Sequence, residues 1–150
     1  MRVKNKMSVV LAIVLSLTAL NLQANNKPHT NVQIATAFFE SIVNKKDFSS
    51  AAEYIGDVYV EHDPQGEDGP SGLKHYIEWL QNNFPESHVI IKRVISDGDY
   101  VIFHVHSILT PGTRGQAIVD MFRLDKGKVV EHWDVTQEIP ESSANSNGMF

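Results

Sequence analysis

The chain has 150 residues, 13 basic against 18 acidic side chains, 42% apolar residues and no cysteine. That suffices for one globular domain and is too short for two ordinary ones. Without cysteine there is no disulfide framework, thiolate metal site or cysteine nucleophile, and a formal net charge of −5 with no basic run in the body excludes a phosphate-neutralising nucleic-acid surface.

Residues 1–24 carry the pattern of an export signal: Arg2, Lys4 and Lys6 precede an apolar run over residues 9–20, and Ala24 is the candidate cleavage point. The run is shorter than the roughly 20 residues a membrane span requires. Its removal leaves 126 residues with 10 bases and 18 acids, a net charge of −8. The expectation is a periplasmic or secreted domain with no membrane attachment after cleavage.

Residues 25–31 read as a linker. Thr30 followed three residues later by Gln33 is a capping box and predicts a helix to about Lys45, with Ile34, Ala35, Phe38, Phe39 and Ile42 on one stripe. Asp47 predicts a second, short helix through Ala51, Ala52 and Tyr54, ended by Gly56, and a strand over 58–62 follows. The run HDPQGEDGPSG, residues 62–72, is an exposed loop. It is not a calcium loop, because the sixth and twelfth positions counted from Asp63 are Asp68 and Lys74. Ser71 is expected to cap a third helix carrying Leu73, Tyr76, Ile77, Leu80 and Phe84 and ending at Asn82-Asn83-Pro85.

After Pro85 the apolar period changes from helical to alternating, predicting strands over 88–95, 100–109, 116–124 and 129–139. Asp97-Gly98-Asp99, Pro111-Gly112-Thr113 and Asp125-Lys126-Gly127 are short turns, so these strands should form an antiparallel meander. Helices first and an antiparallel sheet second is an α+β layout with the helices on one sheet face. Residues 140–150 are rich in Ser and Asn and read as a flexible tail.

Residues two apart on a strand share a face. His104 and His106 are thereby grouped with Tyr100, Ile102 and Ile108, His132 with Asp134, and Asp120 with Ile118, Phe122 and Leu124. A carboxylate in an apolar row has its pKa pushed up by burial and makes a usable proton shuttle. Three adjacent strands could bring these rows into one pocket. Hydrophobicity alone favours the opposite orientation: Val101, Phe103, Val105 and Leu109 oppose the β-strand histidines, and Val129, Trp133 and Val135 oppose His132 and Asp134. Asp120 complicates that choice. Val119 and Met121 make the second row of its strand apolar too, which demands a sheet covered on both faces.

His62 either stands at a pocket mouth or caps a turn. His29, His75 and His88 read as solvated, Trp79 and Trp133 as packing residues. His104, His106 and His132 also match a three-imidazole zinc set, although alternating histidines on a strand are common.

The run DMFRLDKGKVVEHWDVTQ, residues 120–137, together with Tyr59-Val-Glu-His62-Asp-Pro64 and the Gly-rich loop after it, closely resembles the SnoaL-like polyketide cyclase family of the nuclear transport factor two-like superfamily. The resemblance extends over residues 32–139. It implies a cone-shaped α+β fold in which a strongly curved antiparallel sheet wraps around the N-terminal helices and encloses a mainly apolar pocket, often as a homodimer joined through the outer sheet face. It also implies cofactor-independent acid–base chemistry, as in cyclases that close rings by intramolecular aldol condensation. By position Asp120 is the acid–base candidate, with His106 and His104 as assistants. His132 and Asp134 fall on the row where epoxide hydrolase relatives carry a catalytic acid. Tyr59, His62, Ile102 and Phe122 are the candidate substrate contacts.

Two functions follow as expectations. The first is an exported enzyme of lyase or isomerase type that uses neither cofactor nor metal and removes a proton beside the carbonyl of a small hydrophobic molecule. The second is a non-catalytic periplasmic binding or accessory protein in which the same groups orient a ligand.

Overall fold

The computed structural model describes residues 30–150, so the export signal and most of the linker lie outside the described residues. α1 (Asn31–Val43) starts where its capping box predicts: the Thr30 hydroxyl accepts from the Gln33 N–H at 3.2 Å, and the Gln33 side chain accepts from the Thr30 N–H at 3.1 Å. Its apolar stripe is buried. Asp47 caps α2 (Phe48–Ala52) by accepting from the Ser49 N–H at 2.9 Å.

Gly56 does not end α2. It lies inside β1 (Ile55–Glu61), where a Cβ would stand 2.8 Å from Val130 Cγ1, so its missing side chain admits a neighbouring strand. α3 (Gly69–Asn83) begins before Ser71, with Asp68 at the N-cap and Pro70 in the first turn, where its missing N–H leaves no helical hydrogen bond unmade.

β2 (His88–Asp97), β3 (Tyr100–Ile108), β4 (Gln116–Asp125) and β5 (Lys128–Glu138) form the expected antiparallel meander. Two-residue turns join β2 to β3 and β4 to β5, and positive φ at Gly98 (55°), Lys126 (49°) and Gly127 (74°) supplies their twist. β1 adds in parallel beside β5, completing an open, curved sheet of order β1-β5-β4-β3-β2. α1 packs across the concave face of β2 to β5 and α3 covers β1. Phe38, Phe39, Tyr59, Phe103 and Phe122 meet between them with ring centroids 5.3 to 6.2 Å apart.

One register shift decides what faces the concave side. Arg123 pairs with Glu131 but the next residue, Leu124, pairs with Val129, so Val130 is an extra residue on β5. The alternation of β5 reverses across it. Val129 is fully buried on the inner face, and His132, three residues on, faces inward as well, opposite Phe122.

The tail has neither helix nor strand, yet it is folded back on the outer sheet face. Arg114 pairs with Glu141 at 3.1 Å, and the Phe150 ring lies 5.3 Å from His104, 4.8 Å from His106 and 5.2 Å from Lys92 Nζ.

Candidate active site

Between the helices and the concave sheet face lies a cavity of about 530 Å³. Buried Phe39, Ile42, Leu73, Val105 and Phe122 make its floor, and exposed Gln65, Glu67, His75, Tyr76 and Trp79 surround its opening. Gly72 sets the opening's shape. A Cβ there would sit 2.1 Å from the Glu67 carbonyl oxygen, so only glycine lets the loop after β1 press against the first turn of α3.

Asp120 and His132 sit on the inner wall, on β4 and β5. His132 is held from both sides: Nδ1 lies 2.8 and 3.0 Å from the two carboxylate oxygens of Glu61, and Nε2 lies 3.4 Å from Asp120 Oδ1. The imidazole also stacks on Phe122 at 4.8 Å. Glu61 is fixed in turn by the Tyr59 hydroxyl, which donates to its Oε2 at 3.1 Å, and by the backbone N–H groups of His62 and Asp63 at 3.0 Å each. Among the described residues Asp120 Oδ2 has no hydrogen-bond partner.

The electrostatics follow from burial and from these contacts. Burial pushes the Asp120 carboxyl above the usual carboxylate range, and its hydrogen bond to His132 offsets only part of that. Burial alone would lower His132, but hydrogen bonds to Asp120 and Glu61 outweigh it and raise the imidazole to about 9. Glu61 is likewise opposed by burial and carried below its ordinary value by the hydrogen bond and charge of His132. At neutral pH the centre is an imidazolium between an ionised glutamate and a desolvated aspartate.

Asp120, His132, Asp134, Tyr59 and Phe122 therefore share the cavity wall. Ile102, His104 and His106 do not. β3 pairs Phe103 with Asp120 and His104 with Val119, so the phenyl ring stands beside the carboxylate and the histidines turn to the outer face. Val101, Phe103 and Val105 are fully buried in their place. On the outer face Arg93 donates to His104 Nδ1 at 3.0 Å, and His106 Nε2 donates to the Arg114 carbonyl at 2.7 Å. The three-imidazole zinc set is broken by the sheet itself, with His132 on one side and His104 and His106 on the other. No cluster of His, Asp and Glu among the described residues is arranged to hold a metal ion.

His62 is also on the outer side. It stacks flat on Trp133 at 4.5 Å and pairs with Glu131 at 2.9 Å, because the strand step that turns Tyr59 and Glu61 inward turns His62 to the opposite face. Glu61 is the residue that inspection of the sequence passes over. Its signal was the same two-residue step: an acid two positions after an inward aromatic shares that aromatic's face.

The sequence matches the SnoaL-like domain family over residues 35–132, and the chain belongs to that family. Solved structures of the same fold include TsrD from Streptomyces laurentii, 17% identical with a TM-score of 0.60, covering 71% of this chain and 87% of that one. A protein from Acidithiobacillus ferrooxidans provisionally assigned as a polyketide cyclase is 20% identical with a TM-score of 0.59, covering 73% and 90%. A nuclear transport factor two-like protein of unknown function from Cytophaga hutchinsonii is 14% identical with a TM-score of 0.60, covering 75% and 94%. No curated protein matches the sequence.

Proposed function

We propose that this protein is an exported, cofactor-independent acid–base enzyme that removes a proton from the carbon beside a carbonyl of a small hydrophobic molecule, in the manner of a cyclase or isomerase. The observation that carries the reading is the pairing on the cavity wall of a buried carboxylate, Asp120, with an imidazolium that Glu61 holds in place. Desolvation makes Asp120 a stronger base once ionised, and a developing enolate needs a nearby positive charge. Asp120 takes the proton. His132 holds Oδ1 and offsets the negative charge that accumulates, and Glu61 with Tyr59 fixes the ring. Membership of the SnoaL-like domain family supports this chemistry, and a neighbour of the same fold is provisionally assigned as a polyketide cyclase.

The same proposal places a second copy of the chain over the outer sheet face, where Ile95, Val119 and Val135 are exposed apolar side chains.

The test is wash-in of deuterium at the α-carbon of small aryl and cyclic ketones, followed by NMR in deuterated buffer. Wild type should exchange at least one of them in a saturable way, and Asp120→Asn should lose about 10²- to 10⁴-fold in rate while melting at a similar temperature. The rate should rise as Asp120 ionises and fall as His132 loses its proton near pH 9, a profile belonging to the coupled set rather than to one residue. Saturable binding with no Asp120-dependent exchange on any ketone would replace the enzyme by a binding protein.

A further inference from the structure

The cavity is unbalanced in charge. Its lining includes Glu61, Asp63, Glu67, Asp120 and Asp134, and among the described residues no lysine or arginine faces it. Among the described residues its only basic partners are the histidines His132 and His75. His132 is neutralised by Glu61, and His75 at the opening is paired with Glu67 at 3.0 Å. That leaves Asp63, which accepts from the Gln65 N–H at 3.0 Å, and Asp134, which accepts from the Thr136 hydroxyl at 3.2 Å, with no ion-pair partner among the described residues, and the repulsion between them helps hold the Asp134 carboxyl above its ordinary range, after burial.

Two further features stand beside these carboxylates. Asp120, only 7% exposed, has on the same wall an Oδ2 with no hydrogen-bond partner among the described residues. Tyr76 and Trp79 stack at 5.9 Å on the facing helix, each 45% exposed although both are large aromatics with apolar floor beneath them. Aromatic faces beside unmatched carboxylates attract a desolvated organic cation, through the ring quadrupole and through charge. They repel carboxylates and phosphates. The acids are also spread around the wall rather than converging on a point, which disfavours a bare metal ion.

We infer that the natural ligand is an organic cation: a hydrophobic body that fills the apolar floor and carries a protonated or quaternary amine held at the mouth by Asp63, Asp134, Tyr76 and Trp79. This rests on the reading of the cavity as the substrate site and narrows the substrate to amine-bearing carbonyl compounds.

A matched pair of probes tests it: 4-(dimethylaminomethyl)acetophenone, cationic at neutral pH, and its neutral isostere 4-isobutylacetophenone. Calorimetry on the full chain should show the cationic ketone binding about tenfold more tightly, with the preference weakening in higher salt. The preference should fall below about threefold in Asp63→Asn/Asp134→Asn and shrink in Trp79→Leu, two independent variants in case one misfolds. Equal or tighter binding of the neutral ketone, or a preference untouched by both variants, overturns the inference. Deuterium exchange on the same two ketones reads the base separately. Asp120-dependent exchange with no preference for the cation leaves the acid–base reading standing alone, whereas preference without exchange leaves only the cation site.

Discussion

Strands β3 and β5 both alternate histidine with large apolar residues, yet β3 turns His104 and His106 outward while β5 turns His132 inward. On β3 the energetics are simple. Val101, Phe103 and Val105 are completely buried, and at about 1.5–3 kcal/mol per buried side chain nothing the histidines could gain inside competes. β5 accepts the opposite outcome, leaving Val135 72% exposed on the outer face. It can do so because Val130 is bulged and because the inward imidazole meets two carboxylates, so its burial is matched by charge. Alternation decides orientation on an unbroken strand. One extra residue inverts it, and the inversion is where the chemistry sits.

The largest effect is expected from a pair of truncations, one from each strand. His132→Ala leaves two buried carboxylates facing each other and should cost about 3–5 kcal/mol. His106→Ala, on the outer face beside Phe150, should cost less than about 1 kcal/mol. Urea denaturation at fixed protein concentration measures both, and similar losses would mean that the two histidines share one environment.

The same contrast has a pH signature. His132 is raised from 6.5 to about 9, so its contribution is complete below pH 6.5 and disappears as pH climbs through about 9. Asp120, also raised, acts in the same direction. Glu61 is lowered from 4.5, so its contribution is present above that value and is lost in acid. The melting temperature of wild type should therefore drop between pH 6.5 and 9.5, and His132→Ala should flatten that drop. His106→Ala should leave it intact. An unchanged slope in His132→Ala would remove the imidazolium from the account.

How much of this was legible beforehand depends on the kind of signal. The helices announced themselves through caps and stripes, since Thr30, Gln33 and Asp47 act within a few residues of where they stand. The turns were equally local. Asp120 stood out because a charged group in an apolar row is costly wherever it sits. Facing direction on β5 was not legible, because the Val130 bulge depends on how β4 pairs across it, and Val129 was accordingly grouped with Trp133 and Val135 although it lies on the other face. β1 hid its contribution for a related reason: it joins the sheet in parallel from a distant part of the chain, so nothing near Glu61 shows that His132 will lie 2.8 Å away.

The smallest effect on folding is expected at Val135, and it discriminates between the two orientations more cleanly than a large one. If strict alternation governed β5, Val135 would belong to the core and a lysine there would bury an unpaired charge, with loss of the fold. In the structure Val135 lies on the outer face, so Val135→Lys should change the stability of the isolated chain by no more than about 0.5 kcal/mol. Its consequence should appear instead in assembly. Val135 pairs across the sheet with exposed Val119 on the outer face where a second copy is proposed to pack, and a charge placed in that contact must be desolvated without a partner. Light scattering should find wild type as a dimer at micromolar concentration and Val135→Lys shifted toward monomer, with an unchanged far-UV spectrum. A monomeric wild type would leave the outward apolar face of β5 without a partner subunit, whereas a dimer indifferent to lysine at this position would place the contact elsewhere on the sheet.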